Sequence, residues 1–355
     1  MASPLRVSTV PGGALEDALS TGLARPPSMR QRLVNKTFLT VCQSFAWLMA
    51  LLVAAIVLQI AVQATPAVKQ YGVDFLTGTT WDANTKQYSI LPEIWGTLYS
   101  SVLALMLGSA FGIAAAVFLA EGFLAQAIFV TLRALKLQYK PLWQRLPDRA
   151  EHALRNLIEL LAAIPSVVYG LWGIFVVIPA IRPLCNQLNE DFGWISFFAT
   201  PLSGPGMLPA VIVLSIMLLP TITALSRDAL TSVPSKLRMA AYGMGATRWE
   251  TILAVSVPTA ARGIFGAIVI AFGRALGETM ALAMLVGNAN RISVSLFSPA
   301  NTLAALLANS FPEAGPKEVG VLMYAALVLL AITMLVNVFG SLLLTRASRH
   351  LEGAR

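Results

Sequence analysis

Arg274 and Glu278 stand four residues apart in AFGRALGETMAL (271–282), inside one of the most apolar runs of the chain. Arginine presents a planar fork of donors that matches an oxyanion such as phosphate. A glutamate beside it could accept a hydrogen bond from a protonated oxyanion, or hold the guanidinium in place until an anion arrives. Both side chains are out of place in lipid, because a charge at mid-bilayer costs about 2.5–3.5 kcal/mol on insertion scales. They must face a polar cavity, each other or a partner.

The element that must carry them is an apolar helix predicted over Gly263–Gly287. At 1.5 Å per residue Arg274 lies about 16 Å along it, close to the bilayer midplane. At 100° per residue Glu278 falls about 40° from Arg274, on one face with Gly263, Ala267, Ala271, Gly277 and Ala281. Small residues let another backbone approach, and Gly273–Gly277 is a GxxxG step, so this helix is expected to line an interface or passage. A structural ion pair within the helix is the alternative. Arginine before glutamate is the weaker i,i+4 order, and such a pair would not explain a charge at mid-depth. Glu159 is a weaker candidate, at the headgroup level.

Of the 355 residues 57% are hydrophobic and 12% charged, with mean hydropathy +0.72; soluble domains carry about 25% charged residues. The fold class is therefore an all-α polytopic membrane protein. Six transmembrane helices of about 20 residues or more are predicted, at Phe38–Val62, Ile94–Leu119, Leu157–Ile181, Met207–Ser226, Gly263–Gly287 and Val321–Leu344. The absence of strand alternation argues against an outer-membrane barrel. The distribution of the net charge of +8 argues against a nucleic-acid patch: 19 of the 25 Lys and Arg lie in 1–37, 120–156, 227–262 and 345–355. Positive loops mark the cytoplasmic side, so both termini are expected there.

Residues 1–37 read as a loose cytoplasmic tail and 38–93 as the first span with its outer loop. A core follows over 94–344, and 345–355 form a second cytoplasmic tail. Within the core, 121–156 reads as an interfacial insert: Phe123, Ile128, Phe129, Leu132 and Leu135 alternate with Arg133, Lys136 and Lys140, as in a helix lying on anionic lipid headgroups. Partner recognition is the alternative there, and Pro141 and Pro147 break the pattern. Cys42 and Cys185 are expected a membrane apart, too far for a disulfide. Two histidines, His152 and His350, exclude a histidine-rich metal site; no metal or cofactor is expected.

The cytoplasmic loop 227–262 contains SKLRMAAYGMGATRWETILAVSVPTAARG. Ala240, Ala241, Gly243 and Gly245 make a surface a partner can approach to backbone distance, and Arg248 and Trp249 are residue types enriched at interaction hot spots. A simple amphipathic connector is the alternative. The stretch AAYGMGATRWETILAVSVP resembles the EAA loop of ATP-binding-cassette (ABC) importer permeases. Ala240, Ala241, Gly245 and Pro258 match at the family spacing, while Met239 stands where the glutamate belongs and Val255 and Val257 replace isoleucine and leucine. IELLAAIPSVVYGLWG (158–173) and FGRALGETMALAMLVGN (272–288) are similar to the phosphate-specific permeases of PstC type rather than PstA type.

The resemblance implies a type I ABC importer permease fold in a bacterial inner membrane. It implies Arg274 and Glu278 at positions concerned with phosphate passage. The implied partners are a PstA-like second permease, a PstB-like ATPase dimer and a PstS-like phosphate-binding protein. The chain lacks the Gly-x-x-x-x-Gly-Lys-Ser/Thr phosphate loop, so it is a transport subunit without its own ATPase site. An importer for sulfate or molybdate, and an ion-coupled secondary transporter with paired broken spans, remain the competing readings.

Overall fold

The structure, a computed structural model, describes residues 28–82, 85–134 and 146–352. Most of the predicted N-terminal tail and Leu135, Lys136, Lys140 and Pro141 of the insert lie outside the described residues. Among those described, six helices are long and apolar enough to cross a membrane: Met29–Tyr71, Leu91–Ala120, Ser166–Phe192, Met207–Thr231, Arg248–Leu276 and Pro316–Arg346, the last continuing to Glu352. They are the first to sixth spans below.

The first span begins inside the predicted tail, because Ser28 and Gln31 cap it reciprocally. Ser28 N donates to Gln31 Oε1 at 2.8 Å and Gln31 N to Ser28 Oγ at 3.3 Å. Its apolar window has no buried residue. Residues 60–355 form one compact unit. The fourth span is its centre, with 61% of its apolar window buried. It packs on the second span where Gly108 and Gly112 admit Leu218 and Ile222, and Thr223 Oγ1 donates to the Gly112 carbonyl at 3.2 Å.

Two predicted spans change outline. The third was expected at Leu157–Ile181, but the chain breaks between the helix Leu146–Ala163 and the span Ser166–Phe192. Pro165 caps the new helix at ψ 140°, and a residue before proline is disfavoured in the helical region. Tyr169 bridges the break, its hydroxyl donating to the Leu161 carbonyl at 2.8 Å. Cys185 consequently lies within the third span rather than beyond its end; it is buried, Cys42 is exposed, and both are free. Pro147 lies inside the described helix Leu146–Ala163 instead of interrupting it. The fifth span was expected as Gly263–Gly287 and runs Arg248–Leu276, followed by a separate short helix, Met280–Leu285.

The third and fifth spans share an irregularity. Each contains a π-turn, Gly173–Val177 and Ile252–Ser256, two residues ahead of a proline, Pro179 and Pro258. A proline inside a helix clashes with the carbonyl four residues back; the wider turn removes that conflict and lets each span run on.

At the end of the molecule holding a two-residue hairpin (Trp81↔Tyr88, Asp82↔Gln87), the segment after Met280–Leu285 is tied to the second span. Trp95 Nε1 donates to the Ser293 carbonyl at 3.1 Å and Tyr99 to that of Val294 at 2.8 Å; buried Asn301 donates to buried Glu93 at 3.3 Å. The close approach is made at Gly96, where an added Cβ would sit 1.9 Å from the Asn301 carbonyl oxygen. Gly96→Ala is therefore expected to destabilise the fold by about 1–3 kcal/mol, read as a lower Tm and a poorer yield of monodisperse protein in detergent. An unchanged Tm would show that this packing is loose.

Candidate substrate pathway and coupling surface

Arg274 occupies the last turn of the fifth span, where the negative end of the helix dipole favours a cation. Its Nη1 donates to Thr221 Oγ1 at 3.4 Å, and Thr221 lies near the middle of the 25-residue fourth span. The guanidinium is exposed and has no carboxylate within 4.0 Å among the described residues.

The expected Arg274–Glu278 helix face is not formed. The helix ends at Leu276, Gly277 caps it with its N–H on the Arg274 carbonyl at 3.2 Å, and Thr279 precedes the next helix. Glu278 therefore sits in the break, partly buried, and the 40° separation of a continuous helix does not apply. Gly277 is where the turn tightens; no proline marks it. The intrahelical ion pair is likewise absent. Gly273 of the GxxxG step faces the sixth span, its notional Cβ 2.8 Å from Asn337 Oδ1. A groove of about 590 Å³ opens beside Gly277, lined with Thr333, Met334 and Asn337. Glu159, the weaker candidate, is spent on an exposed pair with Arg155 at 2.8 Å.

The segment expected to couple to an ATPase is two helices joined by a tight turn. Helix Ser235–Gly243 ends on Met244, with Met244 N on the Ala240 carbonyl (3.1 Å) and Ala246 N on that of Ala241 (3.1 Å). This is the αL termination that calls for glycine, and Gly245 has φ +87°. The spacing of Ala240, Ala241 and Gly245 thus has a backbone cause. Thr247 and Glu250 then form a capping box that starts the fifth span (Thr247 N to Glu250 Oε2 2.7 Å); its T-x-x-E signature is legible in the sequence.

Ala241 is buried and Ala240 exposed, while Gly243 and Gly245 have nothing within 4 Å of a notional Cβ. Met239, in the glutamate position of the motif, is 62% exposed. Pro258 lies further along the fifth span, just past the π-turn, and is exposed. Arg248 and Trp249 turn partly inward. Arg248 donates to the Glu121 carbonyl and lies 4.1 Å over the Phe123 ring, and Trp249 stacks on the same ring at 5.5 Å while remaining 60% exposed. Sequence reasoning missed Thr221, Glu121 and Arg238, which meet their partners only through the packing of separate spans.

A family model described as a binding-protein-dependent transport system inner membrane component matches residues 144–352. The phosphate transport system permease protein PstC of Haemophilus influenzae is 35% identical over 89% of this chain and 95% of its own length. The chain belongs to that family of transport permeases, in its PstC-type branch. The protein of the same title from Mesorhizobium japonicum is 35% identical over 94% of this chain and 97% of its own. Among solved structures, a bacterial ABC transporter involved in import of the acidic polysaccharide alginate aligns with TM-score 0.55 at 15% identity, covering 90% of this chain and 99% of that one. That likeness concerns the fold alone. The PstC-type permease is thus a multi-pass membrane subunit of an ABC importer, and the secondary-transporter reading falls away.

Proposed function

We propose that this chain forms half of the translocation pathway of an ATP-driven importer of inorganic phosphate. The second half is a PstA-like permease, energy comes from a PstB-like ATPase dimer, and a PstS-like binding protein delivers phosphate from outside. Both termini face the cytoplasm, in keeping with the 19 Lys and Arg in the terminal segments and the two loops between them on that side. The ATPase docks on Ala240, Gly243 and Gly245; its closure moves the fifth span, which starts at Arg248.

The observation that carries this reading is the Arg274 guanidinium, exposed in the last turn of the fifth span, with the neutral Thr221 hydroxyl as its hydrogen-bond partner and no carboxylate within 4.0 Å among the described residues. Such a group is stabilised by a passing anion, and its donor fork suits a tetrahedral oxyanion. Glu278, in the break after the fifth span, accepts a hydrogen bond from the hydroxyl of a protonated phosphate or holds the guanidinium until the anion arrives. Phosphate is chosen over sulfate and molybdate because the PstC relatives carry it in their names.

Uptake by the reconstituted complex tests the reading. Labelled phosphate is expected to accumulate in proteoliposomes with ATP and not without it, and excess sulfate or molybdate is expected not to compete. ATP-independent accumulation would remove the motor from the account, and equal competition by sulfate would remove phosphate specificity.

A further inference from the structure

The corner where the second span ends is gripped by both arms of the coupling segment. Gly122, at φ +61°, turns the chain from Ala120 into the helix Phe123–Ala134. From helix Ser235–Gly243, Arg238 reaches Glu121, Nη1 to Oε1 3.5 Å, and the Glu121 side chain is 8% exposed. Arg238 is itself fixed by donating Nη2 to the Val233 carbonyl at 3.3 Å. From the start of the fifth span, Arg248 donates to the Glu121 carbonyl and covers the Phe123 ring. Trp249 stacks on that ring, and Phe118, in the last turns of the second span, stacks on it too at 6.0 Å.

Docking of an ATPase does not require these contacts. They lie within the chain, while Gly243 and Gly245 are open. They do give the coupling segment two rigid outputs. One is the fifth span itself, continuous from Arg248 to Leu276 and carrying Arg274. The other crosses the corner into the second span, which interlocks through Gly108 and Gly112 with Ile222 and Thr223, immediately beyond Thr221. Both members of the Arg274–Thr221 contact are thus joined mechanically to one cytoplasmic segment.

We propose that the Glu121–Phe123 corner receives the stroke of the coupling segment and delivers it to the second span, making Glu121 and Phe123 positioning residues for transport rather than for docking. The proposal rests on the coupling-loop reading above. A close charged and aromatic grip suits the task, because packed contacts of this kind shift between discrete arrangements instead of deforming gradually.

The test uses the purified complex with its partner subunits, measuring ATP hydrolysis and phosphate uptake together. Phe123→Ala is expected to keep the ATPase bound and its hydrolysis near normal while phosphate moved per ATP falls about tenfold; Phe123→Tyr, which keeps the ring, is expected to restore the ratio. An unchanged ratio in an assembled Phe123→Ala complex overturns the proposal. A charge exchange keeps the test valid should that variant fail to fold. Glu121→Arg is expected to lower the ratio and the double variant Glu121→Arg, Arg238→Glu to recover it; a double variant no better than the single one also overturns the proposal. Cross-linking of Gly243→Cys to the ATPase separates the two ideas: no cross-link defeats the docking reading, whereas a cross-link with an unchanged Phe123→Ala ratio defeats the corner alone.

Discussion

Arg274→Gln is expected to abolish phosphate uptake, by about 100-fold or more, with the complex assembled and its Tm unchanged. A hydrogen bond to a charged group contributes about 1.5–3 kcal/mol, and a forked guanidinium can make two to one anion, so losing both exceeds two factors of ten. The fold has little to lose, since the side chain is exposed and its bond to Thr221 is long, at 3.4 Å. Arg274→Lys should fall between, keeping the charge without the fork, and Thr221→Val should lower uptake only modestly. Normal uptake by Arg274→Gln would show that no anion depends on this side chain.

The second large effect is expected at the coupling surface. Gly243→Trp should prevent the ATPase from co-purifying and eliminate stimulated ATP hydrolysis. Gly243 has nothing within 4 Å of its notional Cβ and lies at the end of a regular helix, so an added side chain disturbs the outer surface and little of the chain's own interior. Gly245→Trp should have the same outcome with a second cause mixed in. At φ +87° any side chain adds roughly 1–2 kcal/mol of backbone strain. Gly243→Ala is the control and should behave as the natural protein. A Gly243→Trp complex that purifies with full stimulated activity would rule out docking at this face.

Much of this was readable in the residues. The six apolar runs, the small-residue pattern around Ala240–Gly245 and the isolated charge at Arg274 follow from hydropathy and spacing, which are local properties. The breaks were harder. Pro165 carried a legible signal that was overridden by the apolar residues on both sides of it. Gly277 carried almost none, since glycine is common in membrane helices and the end of the fifth span depends on how Met280–Leu285 packs. There, Gly170 and Gly173 of the third span make room for Met284 and Leu285. Thr221, Glu121 and Arg238 could not be found from spacing. Their partners, Arg274 and the corner after Ala120, lie 53 residues away in one case and 117 in another.

The π-turn at Ile252–Ser256 has a consequence for the fifth span as a shaft. One surplus residue in a helix advances everything beyond it by about 100° around the axis. The orientation of the grip at Arg248 and that of the cation at Arg274 are thereby indexed separately, and an angular diagram drawn straight through residues 248–276 would assign the upper face to the wrong neighbour. A rotation at Arg248 is therefore passed to Arg274 with that angular offset built in.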